Sequence, residues 1–386
     1  MRVLGGWTRA LAAATISASA LLSVPGAPAQ AAAEGTPITV AAQPAGWRGA
    51  ANGYSVDYWT TRSNGEAVPA SGALMLPEGP APAGGWPIMA YDHGTSGLGP
   101  GCGGQSASSV FSRPQEDAIL QYFVDKGFAV VAPDLLGLGR FETGPHPYLE
   151  LRSEATATID LVKAARAARP DLSRSWAVTG FSQGGHAALG TANLQSALAP
   201  DLDFRGTIAV DPSSDVEKLV PLGGPYFPEI PGTSGAMING FVVMMFAGLR
   251  ETHPELDLDS YLTPLGTSIL DEAGSKCFAD IAKLTQGVAL GELFSRPLGD
   301  PRFRAAIDTY MTVPTSGYDA PILLLLNAAD TVVPSPLHAA LAAQFAANGV
   351  DFATVVGMGQ HTELNPEMWT AIESFVARVL STPTQP

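Results

Sequence analysis

A serine between two glycines carries the clearest chemical signal in the sequence. The pentapeptide GFSQG at 180–184 follows a short apolar stretch at 175–179, which is typical of a strand, and precedes small, helix-compatible residues at 185–194. At such a strand-to-helix turn, small neighbours permit a tight bend that holds the serine hydroxyl clear of the backbone. The pattern in this context predicts that Ser182 is a nucleophile.

A serine hydroxyl needs a base within hydrogen-bond reach and a carboxylate that orients that base. Where the nucleophile lies on this kind of turn, the order along the chain is serine, acid, histidine. Of six histidines, only His338 and His361 follow a strand-end acid downstream of Ser182. His361 lies in a short glycine-containing loop after the last predicted strand, so we expect it to be the base. His338 begins a predicted helix beside Pro336, and we expect it on the surface or in a capping role.

The acid is expected just past a buried strand. Asp330 follows the apolar run at 321–327 and would point toward the carboxyl end of the sheet. Asp330 could instead cap the next helix, but Ser335 is better placed for that role. Asp211 and Asp215, one strand earlier, are the competing acids, and Asp211 precedes a proline and is expected to close a turn. We therefore expect Asp330 to orient the base.

The oxyanion formed in acyl transfer needs two hydrogen-bond donors. One is expected from the backbone N–H of Gln183, the residue after the nucleophile, and the other from the loop that follows the predicted strand at 87–91. The Thr95 N–H is our first choice for this second donor, and Ser96 is the alternative. His93, in the same loop, is expected to be structural.

The remaining pattern predicts an α/β fold in one domain, residues 34–386, with a mainly parallel central sheet and helices on both faces. A leading hairpin suggests an antiparallel edge, and residues 34–50 are expected to form an arm. The predicted strands lie at 54–61, 73–77, 87–91, 128–132, 175–179, 206–210, 321–327 and 351–356, and the predicted helices at 114–126, 153–168, 185–194, 336–348 and 366–380.

Residues 212–318 interrupt this alternation. They are rich in glycine and proline, have no parallel-strand run, and contain apolar helical segments at 236–249 and 277–294. The first segment is apolar over most of its circumference, so its side chains could fill the core of the insertion or line a pocket for an acyl chain. Phe241, Met244 and Met245 are the candidates for such a pocket, since methionine adapts to varied ligand shapes.

The N-terminus resembles a secretory leader. Arg2 and Arg9 are followed by an apolar stretch at 11–24 that is too short to span a bilayer, and small residues suited to cleavage lie near 31–33. The sequence therefore predicts a signal peptide over residues 1–33 and a secreted protein, extracellular or periplasmic. No later stretch has the length and apolar character of a membrane span, so stable membrane insertion is not expected.

The protein is strongly acidic in composition. The net charge is −15, and without the two leader arginines 19 basic residues face 36 acidic ones. Such a surface disfavours nucleic acids and anionic membranes as partners. We expect a small-molecule or lipid ester as the partner, no cofactor and no metal.

Two cysteines, Cys102 and Cys277, are present. Export to an oxidising compartment favours a disulfide between them, and no cluster of metal ligands surrounds either one. The bond would close a long loop, which is worth about 4–5 kcal/mol in the chain-entropy treatment.

Five motifs carry a family resemblance, namely YDHGTSG at 91–97, PD at 133–134 with GLG at 137–139, GFSQGG at 180–185, DTVVP at 330–334 and GQHT at 359–362. Together they resemble the secretory lipase family, the lipase A-like α/β-hydrolases with a large cap. The resemblance implies the α/β-hydrolase fold, a serine esterase acting on acylglycerols or other carboxylic esters, a helical cap over residues 212–318, and a bond from Cys102 in the oxyanion-side loop to Cys277 in the cap. Members often have a further disulfide near the catalytic histidine, which this chain lacks.

Other activities could use the same residues. A peptidase or amidase would need the same three catalytic groups, although no charged pocket for a peptide terminus is evident. An acyltransferase would differ only by admitting an alcohol in place of water. A hydrolase fold used only for binding is disfavoured, because all three groups are present.

Overall fold

A twisted sheet of nine strands runs through the part of the chain that the structure describes. The computed structural model describes residues 33–44, 46–106, 114–230 and 232–381, so the predicted signal peptide falls outside them except for Ala33. The strands are β1 (Pro37–Gln43), β2 (Asn52–Thr61), β3 (Ala67–Leu76), β4 (Trp86–Asp92), β5 (Ala129–Pro133), β6 (Leu172–Phe181), β7 (Asp203–Val210), β8 (Ile322–Asn327) and β9 (Phe352–Gly357).

The strand order is β1-β2-β3-β5-β4-β6-β7-β8-β9. The first three strands pair antiparallel, as do β3 and β5, and every pairing from β5 through β4 to β9 is parallel. This arrangement confirms a mainly parallel sheet with an antiparallel leading hairpin. The carboxyl ends of β4, β6, β7 and β8 therefore meet along one edge, where sites are expected in such sheets.

One element differs from the prediction. Residues 34–50 were expected to form an arm, but β1 pairs with β2 over a register that runs from Pro37 opposite Tyr58 to Gln43 opposite Gly53. Most side chains of this edge strand are exposed or half-buried. The apolar alternation that identifies a half-buried strand in a sequence is therefore weak here.

Helices cover both faces of the sheet. Alternate residues of β5 show the two layers, since Val130 packs into the cluster that includes Ile119 and Ile372, and Val131 packs into the cluster that includes Ile159 and Ala188. The helices of this layer structure are α1 (Pro114–Asp125), α2 (Leu151–Ala168), α3 (Gln183–Leu198), α8 (Ser335–Ala347) and α9 (Pro366–Ser381). They agree with the predicted positions to within a few residues, although α3 extends past the predicted 194.

Four further helices lie between β7 and β8. They are α4 (Gly232–Thr252), α5 (Pro264–Ala273), α6 (Phe278–Leu284) and α7 (Pro301–Met311), joined by short 3₁₀ turns. Together they build a hydrophobic cluster around Phe246, Tyr261 and Phe303. The predicted helical segment at 236–249 lies within α4, whereas the one at 277–294 is divided into the shorter α6 and a 3₁₀ turn at Leu290–Leu293. The helix α7 was not predicted, although its start is marked in the sequence, because Asp300 caps the first turn and Pro301 follows at the first helical position.

No described helix, including the 21-residue α4, combines the length and apolar character needed to cross a membrane.

Candidate active site

Ser182 lies on a strained turn between β6 and α3. Its backbone angles are φ 57° and ψ −119°, a conformation that non-glycine residues rarely adopt and that costs on the order of 1–3 kcal/mol. Neighbouring backbone groups hold the turn, since Ser182 N–H donates to the Val210 carbonyl at 2.9 Å. A Cβ at Gly180 would lie 2.0 Å from the Gly184 oxygen, and one at Gly184 would lie 1.9 Å from the Asp92 oxygen. Only glycine therefore fits on either side of this serine.

Asp330 and His361 form a direct pair. The Asp330 carboxylate is held by its own turn, because Oδ1 accepts hydrogen bonds from the N–H groups of Val332 at 2.8 Å and Val333 at 3.0 Å. Its Oδ2 lies 2.6 Å from His361 Nδ1. An ionised carboxylate can only accept, so Nδ1 has to carry the proton and Nε2 is left as the basic nitrogen.

The ionisation of Asp330 fits this arrangement. Burial raises the pKa of the Asp330 carboxyl, but hydrogen bonds from His338 and His361 and the charge of His361 outweigh burial and hold that pKa well below its usual range. The carboxylate is therefore charged at neutral pH and can stabilise an imidazolium at His361.

Ser182 and His361 line one cavity of about 940 Å³, together with Thr95. Within the described residues, His361 Nε2 has no hydrogen-bond partner. Hydrogen bonds between catalytic groups are often long in a free enzyme and tighten when substrate binds. The apolar part of the cavity wall is formed by Tyr91, Ile119, Phe181, Met237, Phe241, Phe278, Val332, Leu364 and Trp369.

Of the two residues predicted to supply oxyanion donors, Gln183 directly follows Ser182 in the chain and Thr95 lines the same cavity as Ser182. Gln183 is the first residue of α3, where backbone N–H groups lack an intrahelical acceptor and the helix dipole favours negative charge. Thr95 follows β4 and lines the cavity, and its hydroxyl lies 2.9 Å from the Tyr148 hydroxyl. His93 is fully buried with its ring nitrogens near the carbonyls of Gly94 and Asp134, in keeping with a structural role.

The three residues predicted to line an acyl pocket fall into two groups, one in the cavity wall and one in the core of the insertion. Phe241 lines the cavity and stacks on Phe278, with ring centroids 4.9 Å apart and planes 10° apart. Met244 and Met245, one turn further along α4, do not line this cavity and are buried in the cluster formed by α4–α7. Their placement does not agree with the expected contact with an acyl chain. Met237, one turn before Phe241, lines the cavity instead.

The loop that carries Thr95 is fastened to the segment before α6. The disulfide Cys102–Cys277 is present, as expected. Backbone hydrogen bonds reinforce it, since Leu98 N–H donates to the Lys276 carbonyl at 2.9 Å and Phe278 N–H donates to the Ser96 carbonyl at 2.8 Å. Phe278, which lines the cavity, is therefore the residue directly after the cross-linked Cys277.

Two residues behind the Asp330–His361 pair differ from expectation. His338 is buried, not on the surface, and its Nε2 lies 3.0 Å from Asp330 Oδ2. Asp211 does more than close a turn, because its carboxylate accepts hydrogen bonds from the backbone and side chain of Asn327 and from the backbone of Thr362, each at 2.7 Å. The sequence could not show either contact, since three distant segments meet there.

This cluster also has the composition of a cation site. One ligand atom from each of Asp211, Asp330 and His338 lies within 4.8 Å of the others. The carboxylate oxygens of Asp211 and Asp330 and the Nε2 atom of His338 are, however, already engaged in the hydrogen bonds described above, which favours a hydrogen-bonded cluster. The expectation of no metal stays a prediction.

A second buried hydrogen-bond network holds the side chain of Gln183. The Gln183 side-chain amide donates to His146 Nε2 at 2.6 Å and to Glu154 Oε1 at 2.8 Å. Burial lowers the pKa of His146 to about 4, so its ring is neutral and can accept this bond, while Nδ1 donates to the Leu136 carbonyl at 2.7 Å. Sequence reasoning missed these residues, because no local pattern marks them.

Comparisons with known proteins agree with this architecture. The family model of the secretory lipases matches residues 105–385. None of the curated proteins compared with the sequence matches it.

Solved structures with the same fold include lipase A from Candida antarctica, with a TM-score of 0.71, 19% identity, and coverage of 92% of this chain and 84% of that one. The rice cell wall degrading esterase LipA from Xanthomonas oryzae has a TM-score of 0.66 at 20% identity, covering 90% and 97% of the two chains. A putative hydrolase from Legionella pneumophila has a TM-score of 0.65 at 19% identity, covering 87% and 90%. The fold is thus the α/β-hydrolase fold, as predicted.

Proposed function

The chain belongs to the secretory lipase family and is a carboxylic ester hydrolase, and we propose that Ser182, His361 and Asp330 perform its reaction. The observation that carries the proposal is the 2.6 Å contact between Asp330 Oδ2 and His361 Nδ1 behind a cavity that Ser182 also lines. It leaves His361 Nε2 as the nitrogen that can take a proton.

In the first half-reaction, Ser182 Oγ attacks the ester carbonyl carbon and its proton passes to His361 Nε2. The tetrahedral intermediate collapses, the C–O bond to the alcohol breaks, and the alcohol leaves with the proton from Nε2. Water then attacks the acyl-enzyme with His361 again as base, which releases the acid and restores Ser182. Asp330 keeps Nδ1 protonated and stabilises the imidazolium at each stage.

The negative charge that develops on the carbonyl oxygen requires fixed donors. We assign these to the backbone N–H groups of Gln183 and Thr95. The first benefits from the N-terminus of α3. The second belongs to a loop that the Cys102–Cys277 disulfide fastens in place.

The substrate is assigned from the cavity wall. Its surface is mainly aromatic and aliphatic, which suits the acyl part of an acylglycerol or another carboxylic ester. We assign the acyl-chain contacts to Met237, Phe241 and Phe278. Because these come from α4 and the start of α6, residues 212–318 would act as a cap over the site.

Export would follow cleavage of a signal peptide near Ala31–Ala33. Without the two leader arginines, 36 acidic residues exceed 19 basic ones, which is compatible with a soluble exported enzyme acting on uncharged esters.

The test is hydrolysis of p-nitrophenyl esters from acetate to palmitate by the purified mature protein, by Ser182→Ala and by Ser374→Ala. Ser374 is an exposed serine of α9 whose hydroxyl donates to the Thr370 carbonyl of its own helix, so it is the matched control. We expect activity in the wild type and in the control, and its loss in Ser182→Ala. The chain-length optimum reports how much of the cavity the acyl chain fills. Unchanged activity in Ser182→Ala would overturn the proposal, and cleavage of p-nitroanilides in place of esters would favour an amidase.

A further inference from the structure

The catalytic carboxylate is shared between two imidazoles. Asp330 Oδ2 lies 2.6 Å from His361 Nδ1 and 3.0 Å from His338 Nε2. The Asp330 side chain is fully excluded from solvent and that of His338 is 2% exposed. A single oxygen that accepts two hydrogen bonds is a weaker acceptor toward each of them than one that accepts a single bond. His338 thus competes with the base for the same lone pairs.

The proton positions in this cluster follow from donor and acceptor rules. Asp330 can only accept, so His338 Nε2 has to carry a proton. His338 Nδ1 is buried and has no hydrogen-bond partner in the described part of the chain. The neutral tautomer with its proton on Nε2 is therefore sufficient to make the observed contact, and His338 acts as a donor whether or not it takes up a second proton.

A second carboxylate stands behind His338. Asp211 Oδ1 lies 3.5 Å from His338 Nε2, and Asp211 is also completely buried. Its Oδ2 accepts the backbone N–H of Thr362, the residue after the base, at 2.7 Å. Asp211 also binds Asn327 at the end of β8. It therefore ties the loop of the base to the strand that precedes the acid, and it adds negative charge to the same cluster.

We propose that His338 and Asp211 are positioning residues of opposite electrostatic effect, which together set the pH range in which the Asp330–His361 pair is active. This inference rests on the proposed function. His338 withdraws negative charge from Asp330 and weakens its hold on a His361 imidazolium, whereas Asp211 strengthens that hold. His338 would keep His361 unprotonated, and the enzyme active, at lower pH than Asp330 alone would allow, and Asp211 would limit that shift.

Three other carboxylates, from neighbouring segments, have partners of their own in the described part of the chain. Glu363, in the same loop, accepts the Gln360 N–H through Oε2 at 2.8 Å. Glu116 from α1 lines the cavity and is paired with Arg48. Asp215, after β7, is paired with Lys218. None of these contacts Asp330 or His338 in the hydrogen bonds and ion pairs that the structure gives for the described residues. They remain unchanged in the variants below.

The experiment compares pH profiles of kcat/KM for a soluble p-nitrophenyl ester. His338→Leu removes the donor, His338→Gln keeps a neutral donor that does not titrate, and Asp211→Asn removes the second negative charge. We expect the acidic limb to move to higher pH in His338→Leu, so that the ratio of kcat/KM at pH 8 to that at pH 6 rises about threefold or more over the wild-type ratio. We expect His338→Gln to restore the wild-type limb, and Asp211→Asn to move it to lower pH.

The readout separates positioning from structural support. A purely structural role lowers kcat/KM at every pH and leaves the shape of the profile unchanged, and circular dichroism at each pH shows whether a variant is folded. His338→Met serves in place of His338→Leu if the latter does not fold. The inference is overturned if the acidic limb of the kcat/KM profile does not shift in folded variants. It is also overturned if the limb shifts in the same direction in His338→Leu and Asp211→Asn. Hydrolysis that persists in Ser182→Ala contradicts the proposed function instead.

Discussion

His186 and Glu154 form a buried ion pair beneath the turn that carries Ser182. His186 Nδ1 lies 2.7 Å from Glu154 Oε2, and both side chains are fully excluded from solvent. His186 Nε2 faces the carbonyl of Met311 at 2.9 Å. Because a carbonyl and a carboxylate can only accept, both ring nitrogens need a proton, and the ring is an imidazolium. The pair links α2, α3 and the end of α7.

The ionisation of His186 gives the first prediction. Burial lowers its pKa, but the charge and hydrogen bond of Glu154 outweigh burial, so the pKa is raised above its ordinary value. A raised pKa in the folded state adds stability that is complete below the ordinary histidine pKa and is lost as pH rises through the raised value. We expect Glu154→Gln to lower the free energy of unfolding by about 3 kcal/mol at pH 6 and by less at higher pH.

Urea denaturation at a series of pH values measures this difference. Asp171→Asn is the control, because Asp171 is partly exposed and its pair with Arg169 is a surface contact, which contributes at most about 1 kcal/mol. An equal loss in both variants, or a Glu154→Gln deficit that grows as pH rises, would contradict the assignment of an imidazolium.

The glycine at 184 supplies the second prediction. A Cβ on Gly184 would lie 1.9 Å from the Asp92 oxygen, which is backbone and cannot move without distorting β4. We expect Gly184→Ala to reduce stability by more than about 3 kcal/mol or to abolish soluble expression. Gly79→Ala is the comparison, because no atom lies within 4 Å of its Cβ position, although its φ of +89° is costly for alanine. Its expected effect is about 1 kcal/mol, and similar thermal melting of both variants would refute the crowding argument.

The disulfide gives the third prediction. Cys102 and Cys277 are 175 positions apart in the sequence, so their bond restricts a long loop of the unfolded chain. We expect the double variant Cys102→Ser/Cys277→Ser to lose several kcal/mol of stability, up to about 4–5 kcal/mol. Because the bond also fastens the loop of Thr95, kcat should fall more than KM rises.

Thermal melting with and without reductant checks this stability loss. The wild type under reducing conditions should approach the melting temperature of the double variant, and the variant should not respond to reductant. A wild-type melting temperature that is indifferent to complete reduction would count against the stabilising role.

The sequence was sufficient to place the residues whose positions follow from chain order and local turns. Ser182 lies between glycines at a strand-to-helix junction, and Asp330 and His361 each follow a strand, so the sheet topology brings their positions to one edge. His338 was misjudged because the helix α8 is apolar nearly all round, so nothing in its pattern showed which face is buried. Asp211 acquires its role only through Asn327 and Thr362, which are distant in sequence.

The acyl-pocket residues were also beyond what a sequence pattern can identify. The helix α4 is apolar on most of its circumference, and periodicity therefore could not distinguish the cavity face from the face that packs on α5 and α7. Phe241 and Met237 line the cavity, whereas Met244 and Met245 fill the core of the insertion. Phe278 could not be chosen from the sequence, because its position depends on the cross-linked segment beside it.

The most direct test of the central claim is covalent capture of the nucleophile. The mature protein is incubated with a p-nitrophenyl phosphonate, and the site of labelling is located by peptide mass spectrometry. We predict one phosphonyl group per chain, on Ser182, in proportion to the loss of ester hydrolysis, and strongly slowed labelling in His361→Ala. Complete inactivation with an unlabelled Ser182, or full activity after Ser182 has been labelled, would contradict the account.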